Sequence, residues 1–207
     1  MKILRVDSAV TGEGSVSRQL TQSITDHFRT LHPEAEVVEL DLAANPLPHI
    51  DPVTMGAIRL PADKHDDAMQ AAAPAERAVL DQFLSADVVV VGAPMYNFTI
   101  PSQLKAWLDR LGVPGVTFSY SEAGPQGLAG GRKVIVASSQ GGDYQLDAPF
   151  EHHESLLRDF FAFVGVTDPV FVRAGRIGFG PEAREASLTA ANEQIATLDG
   201  VSPRLAA

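Results

Sequence analysis

Three short segments of this chain carry residue types that bind ligands. Ser15-Val16-Ser17 follows the glycines Gly12 and Gly14, and hydroxyls beside the free N–H groups of a helix N-terminus can hold a phosphate. Met95-Tyr96-Asn97-Phe98 offers flat apolar side chains beside one amide, which suits a planar heteroaromatic ring better than a sugar or a metal. Ser139-Gln140-Gly141-Gly142 lets backbone donors approach a polar ring edge, because glycine has no side chain to block them.

Two of these segments also have simpler interpretations. Ser15 could be only the N-cap of the following helix, and residues 138–144 could be an ordinary flexible turn. Gly12-Glu13-Gly14 begins a dinucleotide-binding fingerprint, but Ser17 stands where the third glycine belongs. A small hydroxyl at that position favours a contact with a monophosphate over the close packing of a pyrophosphate-binding helix.

The elements that must position these segments alternate between strand and helix, which is typical of a parallel sheet with helices on both faces. The run from Val88 to Val91 suits a strand buried on both faces. Pro101 then opens a helix whose apolar residues recur at helical spacing, namely Leu104, Trp107, Leu108 and Leu111. The predicted strands are 3–7, 36–42, 88–93, 133–138 and 170–172. Further helices are predicted from about Ser15 to Pro33, around 156–164, and from Pro181 to Gly200.

Five strands in this arrangement allow a flavodoxin-like fold, which is a three-layer α/β/α sandwich around a five-stranded parallel sheet of order 2-1-3-4-5. In that order strands one, three and four are neighbours, so the three segments meet at the carboxyl edge of the sheet. Their combined chemistry fits flavin mononucleotide (FMN). We expect residues 1–207 to form a single domain. The proline-rich stretch 43–74 is predicted to be a long connection that acts as a lid, a partner surface or a disordered segment.

Composition excludes several functional classes. The chain has no cysteine, which rules out disulfides, thiolate metal sites and a thiol nucleophile. Its formal net charge of -10 argues against a nucleic-acid surface. The segment Met1-Lys2-Ile3-Leu4-Arg5-Val6-Asp7 meets a charge too early for the apolar core of a signal peptide, and no apolar run approaches the ~18 residues of a membrane span. We therefore expect a cytoplasmic protein without membrane association.

Other chemically suggestive residues are predicted to be structural. Glu151-His152-His153-Glu154 has metal-binding residue types, but consecutive helical residues point in different directions, so we expect a solvated helix start and no metal. Trp107 is expected in the core, because it lies on the apolar side of its helix. Tyr120 and Tyr144 could stack on a substrate or donate a proton, and no catalytic residue is assigned.

Over nearly its whole length the chain resembles the flavin-dependent NADH-azoreductases, also described as NADH:quinone oxidoreductases, which have a flavodoxin-like fold. The resemblance is carried by Gly14-Ser15-Val16-Ser17, Ala93-Pro94-Met95-Tyr96-Asn97-Phe98 and Ser139-Gln140-Gly141-Gly142. Its specific part is the Met-Tyr-Asn-Phe loop with the correctly spaced glycine loop, whereas a Gly-Ser turn alone would not be specific. Further matches are Asp41-Leu42-Ala43-Ala44-Asn45-Pro46, Gln103-Leu104-Lys105, Gly115-Val116-Thr117-Phe118-Ser119-Tyr120, Gly124-Pro125-Gln126-Gly127-Leu128 and Gly180-Pro181-Glu182.

The resemblance implies a role for each segment. Ser15, Val16 and Ser17 would hold the FMN phosphate. Met95, Tyr96, Asn97 and Phe98 would line the isoalloxazine ring, and Ser139, Gln140, Gly141 and Gly142 would contact its polar edge. One position departs from the family pattern, since Ala9 stands where members usually carry a serine. One lost neutral hydrogen bond is worth roughly 0.5–1.5 kcal/mol, so we expect FMN affinity to fall about tenfold or less. Ser8 could replace the missing hydroxyl only if the turn shifts.

The resemblance further implies NADH as electron donor and ping-pong hydride transfer through flavin N5. Quinones would be reduced by two electrons to hydroquinones, and azo compounds would be cleaved to amines. It also implies a homodimer with active sites at the interface, to which 43–74 and Phe118-Ser119-Tyr120 could contribute. Two alternatives stay open: a flavodoxin-like one-electron carrier without a small-molecule substrate, and a Rossmann-type dehydrogenase without flavin. The length of the chain argues against the carrier.

Overall fold

The computed structural model describes residues 1–199 and contains one five-stranded parallel sheet. Its strands are β1 (Lys2–Asp7), β2 (Glu36–Asp41), β3 (Val88–Pro94), β6 (Lys133–Ser139) and β7 (Val170–Ala174). They lie in the order β2-β1-β3-β6-β7. Counted along the chain, these parallel strands have the order 2-1-3-4-5, so the predicted topology is confirmed.

Helices cover both faces of this sheet, which confirms the three-layer sandwich. Helices α1 (Val16–Leu31) and α6 (Pro181–Ala196) enclose one core with β-strand residues such as Val90 and Val172. Helices α3 (Asp67–Ser85), α4 (Ser102–Leu111) and α5 (Glu154–Phe163) enclose the other. Trp107 is fully buried there with its whole predicted stripe, Leu104, Leu108 and Leu111. The predicted end of the last helix at Gly200 lies outside the described residues.

The stretch 43–74 is ordered, so the disordered alternative is wrong, while a lid and a partner surface stay predictions. It contains α2 (Pro52–Arg59), which begins with a reciprocal capping box between Asp51 and Thr54, and most of the first half of α3. Pro74 lies inside α3. Proline in a helix interior normally ends or kinks the helix, so the sequence pattern alone does not predict a helix continuing through Pro74.

A small hairpin of β4 (Phe118–Ser121) and β5 (Gly124–Gly127) stands apart from the main sheet and was not predicted. It packs closely on the end of α5. A Cβ atom on Gly127 would lie 2.1 Å from the backbone nitrogen of Gly165, so only glycine permits this approach. Across residues 1–199, no helix is both long and apolar enough to span a membrane.

Candidate functional site

The loop after β1 leads into α1 through a short 3-10 turn, Gly12–Gly14. Ser15 is the N-cap of α1, with its Oγ accepting a hydrogen bond from the backbone nitrogen of Arg18 at 3.3 Å. The Ser17 hydroxyl lies 3.1 Å from that of Ser15, and both serines are buried. The capping interpretation of Ser15 is therefore correct. It does not remove the N–H groups of the first helical turn, which have no partners within the helix and remain suited to an anion.

Ser8 does not replace the hydroxyl missing at Ala9. Its side chain is fully buried, and its Oγ donates a hydrogen bond of 2.6 Å to the carbonyl of Gly92 on β3. The Ala9 carbonyl instead accepts hydrogen bonds from the Arg18 guanidinium at 3.0 and 3.2 Å. The turn thus directs the Ser8 hydroxyl into the sheet.

The Arg18 guanidinium is neutralised by a neighbouring carboxylate. It donates a hydrogen bond of 2.7 Å to Oδ1 of Asp41, which also accepts from the backbone nitrogens of Ala43 and Ala44. The hydrogen bond from Arg18, aided by the two backbone donors, lowers the pKa of Asp41 to about 2 despite partial burial. Conversely, the hydrogen bond to Asp41 raises the pKa of Arg18. The groups that this loop could offer an anion are therefore mainly backbone N–H groups and hydroxyls.

The loop after β3 begins with a tight turn. Tyr96 and Thr99 exchange two backbone hydrogen bonds, of 2.8 and 3.2 Å. Between them Asn97 and Phe98 both have positive φ, 47° and 74°, as in a type I′ turn. Asparagine adopts this conformation readily, whereas phenylalanine does so at a cost. The turn leaves the Phe98 ring 42% exposed beside the sheet edge.

Direct hydrogen bonds join the loops that carry the three predicted segments. The backbone nitrogen of Val10 donates to the Tyr96 hydroxyl at 3.1 Å, which links the loops after β1 and β3. The backbone nitrogen of Met95 donates to the carbonyl of Ser139 at 2.8 Å, which links the loop after β3 to the end of β6. The loops that carry the predicted segments therefore meet at the carboxyl edge of the sheet.

The loop after β6 is held by backbone bonds to the end of β7. Gln140 donates to the carbonyl of Ala174 at 2.9 Å, and Arg176 donates to the carbonyl of Gly142 at 2.6 Å. The Gln140 side chain is 1% exposed, yet neither amide atom has a hydrogen-bond partner among the described residues. A buried amide without partners costs free energy, so its donor and acceptor suit the polar edge of a bound ring. Gly141 presents open space in the direction of a Cβ atom.

An aromatic cluster flanks this loop. The Phe98 ring lies 5.9 Å from that of Tyr144 and 5.2 Å from that of Phe150, measured between centroids. Phe150 is 59% exposed and also has positive φ, 71°. Sequence reasoning missed Phe150, since nothing in its local pattern distinguishes it. Tyr120 lies elsewhere, on β4 with its ring against Phe118.

The start of α5 corrects one prediction. Glu151, His153 and Glu154 are buried rather than solvated. The Glu151 carboxylate caps the helix by accepting hydrogen bonds from the backbone nitrogens of His153 and Glu154, at 3.0 and 2.7 Å. Tertiary contacts with the sheet bury these residues, and a local pattern cannot reveal them. Within the described part of the chain, no group of three or more His, Asp or Glu side chains could hold a metal ion.

Comparison with known proteins agrees with this geometry. The family model described as Flavodoxin-like fold matches residues 1–198. An "FMN-dependent NADH:quinone oxidoreductase 1" of Pseudomonas syringae pv. tomato is 47% identical over 195 residues, covering 94% of this chain and 96% of that protein.

Solved structures give the same result. The crystal structure of an azoreductase from Bacillus anthracis superimposes with a TM-score of 0.85 at 31% identity, covering 95% of this chain and 97% of that one. An FMN-dependent NADH-azoreductase from the same species, solved in complex with FMN, has a TM-score of 0.80 at 25% identity, covering 95% and 98%. The chain therefore belongs to the flavodoxin-like family that includes the FMN-dependent NADH:quinone oxidoreductases and azoreductases.

Proposed function

We propose that this chain is an FMN-dependent oxidoreductase that uses NADH to reduce quinones to hydroquinones and to cleave aromatic azo bonds to amines. The observation that supports this most directly is the joining of three segments into one surface. In support of it, the bonds from Val10 to Tyr96 and from Met95 to Ser139 join the loops after β1 and β3 and the end of β6. Relatives with the corresponding names cover almost the whole chain.

Each segment has a distinct proposed role in holding FMN. Ser15, Val16 and Ser17 bind the phosphate with hydroxyls and first-turn N–H groups. Met95, Tyr96, Asn97 and Phe98 line the ring. Ser139, Gln140, Gly141 and Gly142 face its polar edge, where the unpartnered Gln140 amide can both donate and accept.

FMN supplies the two-electron redox chemistry when it is bound, and the chain supplies binding and orientation. Phe98, Phe150 and Tyr144 present partly exposed aromatic surface beside the ring-facing loop, which suits a flat aromatic acceptor. The net negative charge of the chain repels an anionic cofactor at long range. The FMN phosphate must therefore be held by hydrogen-bond donors close to it.

We also propose a homodimer whose active sites lie at the interface. Large apolar side chains are exposed in two regions. Met55 lies on α2 and Leu60 directly after it, whereas Tyr120 lies on the hairpin and Leu128 directly after it. These are the two regions that the sequence nominated for this contact. Two further statements stay predictions. They are that residues 1–207 form a single FMN-binding domain and that the protein is cytoplasmic.

Anaerobic stopped-flow spectroscopy of the FMN-loaded protein tests the proposal. NADH should bleach the flavin absorption, and a naphthoquinone or a monoazo dye should restore it. One NADH should be consumed per quinone and two per azo bond, because azo cleavage needs four electrons. Absence of bleaching by NADH would favour the one-electron carrier. Failure of the protein to bind FMN would favour the dehydrogenase without flavin.

A further inference from the structure

A carboxylate at the start of α5 binds two neighbouring strands of the sheet. The fully buried Glu154 carboxylate accepts a hydrogen bond of 2.6 Å from the Ser138 hydroxyl on β6. It also accepts two from the Arg173 guanidinium on β7, at 2.8 and 2.5 Å. The adjacent His153 is also fully buried, and neither of its ring nitrogens has a hydrogen-bond partner among the described residues.

The charges in this cluster are matched. Burial alone would raise the pKa of Glu154, but the hydrogen bonds from Arg173 and Ser138 outweigh it and keep that pKa below its ordinary value. Burial lowers the pKa of His153, against the opposing effect of Glu154 and Glu151. At neutral pH the cluster therefore holds an ionised carboxylate, a guanidinium cation and a neutral imidazole.

The two partners of Glu154 flank the ring-facing loop. Ser138 directly precedes Ser139, whose carbonyl accepts from Met95. Arg173 directly precedes Ala174, whose carbonyl accepts from the backbone nitrogen of Gln140. One carboxylate therefore bonds to both β6 and β7. Gln140 follows directly after β6, and its backbone is bonded to the end of β7.

We propose that Glu154 is a positioning residue of the reaction site: through Ser138 and Arg173 it fixes the backbone of residues 139–142 and thereby aims the Gln140 amide at the cofactor ring. This inference rests on the proposed function. Glu154 itself does not touch the reacting atoms in this scheme; it sets the geometry of the loop that does.

The chain offers a matched control for this role. Glu76 on α3 and Arg110 on α4 form another buried carboxylate–guanidinium pair, 2.7 Å apart and 10% and 1% exposed. This pair joins two helices and lies on none of the three cofactor segments. Replacing Glu76 should therefore lower stability as replacing Glu154 does, without affecting residues 139–142.

The first experiment compares Glu154→Gln with Glu76→Gln. FMN dissociation constants come from quenching of flavin fluorescence, and visible spectra of the bound flavin and melting of the apoprotein are recorded alongside. Both variants should melt at lower temperature. Only Glu154→Gln should weaken FMN binding at least tenfold and shift the flavin spectrum. A dissociation constant within twofold of the wild type, or an equal loss in both variants, would overturn the proposal.

A second variant separates positioning from stability. Glu154→Leu combined with Arg173→Met removes both charges, and replacing a whole buried ion pair by apolar residues is often tolerated. Melting should recover relative to Glu154→Gln, while FMN binding stays weakened because the loop has lost its anchor. Recovery of FMN affinity together with stability would show a purely structural role and reject the inference. Wild-type FMN binding is measured first, so its failure would count against the proposed function instead.

Discussion

The hydroxyl of Tyr96 accepts a hydrogen bond from the backbone nitrogen of Val10 across 3.1 Å, so a residue that we propose lines the ring also anchors the loop after β1. Val10 itself is 58% exposed and has little packing to hold it. The Tyr96 side chain therefore links the two ends of the proposed cofactor site. This link explains why an aromatic residue with a hydroxyl serves the position better than phenylalanine would.

Tyr96→Phe should weaken FMN binding by about threefold to tenfold, since one neutral hydrogen bond contributes roughly 0.5–1.5 kcal/mol. The free energy of unfolding of the apoprotein should change little, because the bond is near the surface. Fluorescence titration and urea unfolding measure the two quantities. Thr30→Ala serves as a control, since its hydroxyl bonds only locally to the Asp26 carbonyl at the far end of α1. Unchanged FMN affinity in Tyr96→Phe would contradict the linking role.

Alanine variants of Ser15 and Ser17 should distinguish the contribution of helix capping from that of FMN binding. Ser15→Ala removes the N-cap of α1 and should cost about 1 kcal/mol of stability as well as FMN affinity. Ser17→Ala should weaken FMN binding and leave the free energy of unfolding nearly unchanged. Denaturant unfolding of the apoproteins, paired with FMN titration, gives both values for each variant. Equal stability losses in the two would mean that Ser17 is only part of the cap.

Ala9→Ser should tighten FMN binding by up to about tenfold, because it adds a hydroxyl to the phosphate segment. Ser8 cannot supply that hydroxyl while its Oγ is bonded to Gly92. Comparison of dissociation constants for FMN and for riboflavin, which lacks the phosphate, checks the assignment. A gain shared equally by riboflavin would place the effect away from the phosphate.

Phe98→Gly should be more stable than Phe98→Ala by about 1 kcal/mol. Both changes remove the ring, but only glycine tolerates the φ of 74° without steric cost. Urea unfolding of the two apoproteins measures the difference. Both variants should lose FMN affinity to a similar extent, so the comparison isolates the backbone. A less stable glycine variant would argue against a strained turn.

The Asp41–Arg18 pair should make stability depend on acid pH. The pKa of Asp41 is about 2 in the folded chain, against its ordinary value of 3.8. Between these two pH values the unfolded state therefore binds more protons than the folded state. The pair's contribution is full well above pH 3.8 and is lost as pH falls towards 2. It should be about 1 kcal/mol or less, because 35% of the Asp41 side chain is exposed. Asp41→Asn should be less stable than wild type at pH 6, and the gap should close near pH 2.

The sequence by itself determined the five parallel strands, four of the helices (α1, α4, α5 and α6) and the family. The buried valine run of β3, the helical spacing from Leu104 to Leu111 and the Ser15 cap are local patterns, and local periodicity carries that information. The resemblance carried by the three segments also identified the family. These predictions succeeded because each depends on residues close together in the chain.

Only the tertiary structure decided which partners the polar groups choose. Ser8 bonds into β3, Glu154 reaches β6 and β7, and α3 continues through Pro74. Such outcomes depend on which strands and helices are neighbours, and buried polar groups take the partners that this packing offers. The Glu- and His-rich start of α5 is predicted from sequence to be solvated. In the structure Glu154 is buried because it packs against the sheet and bonds to β6 and β7.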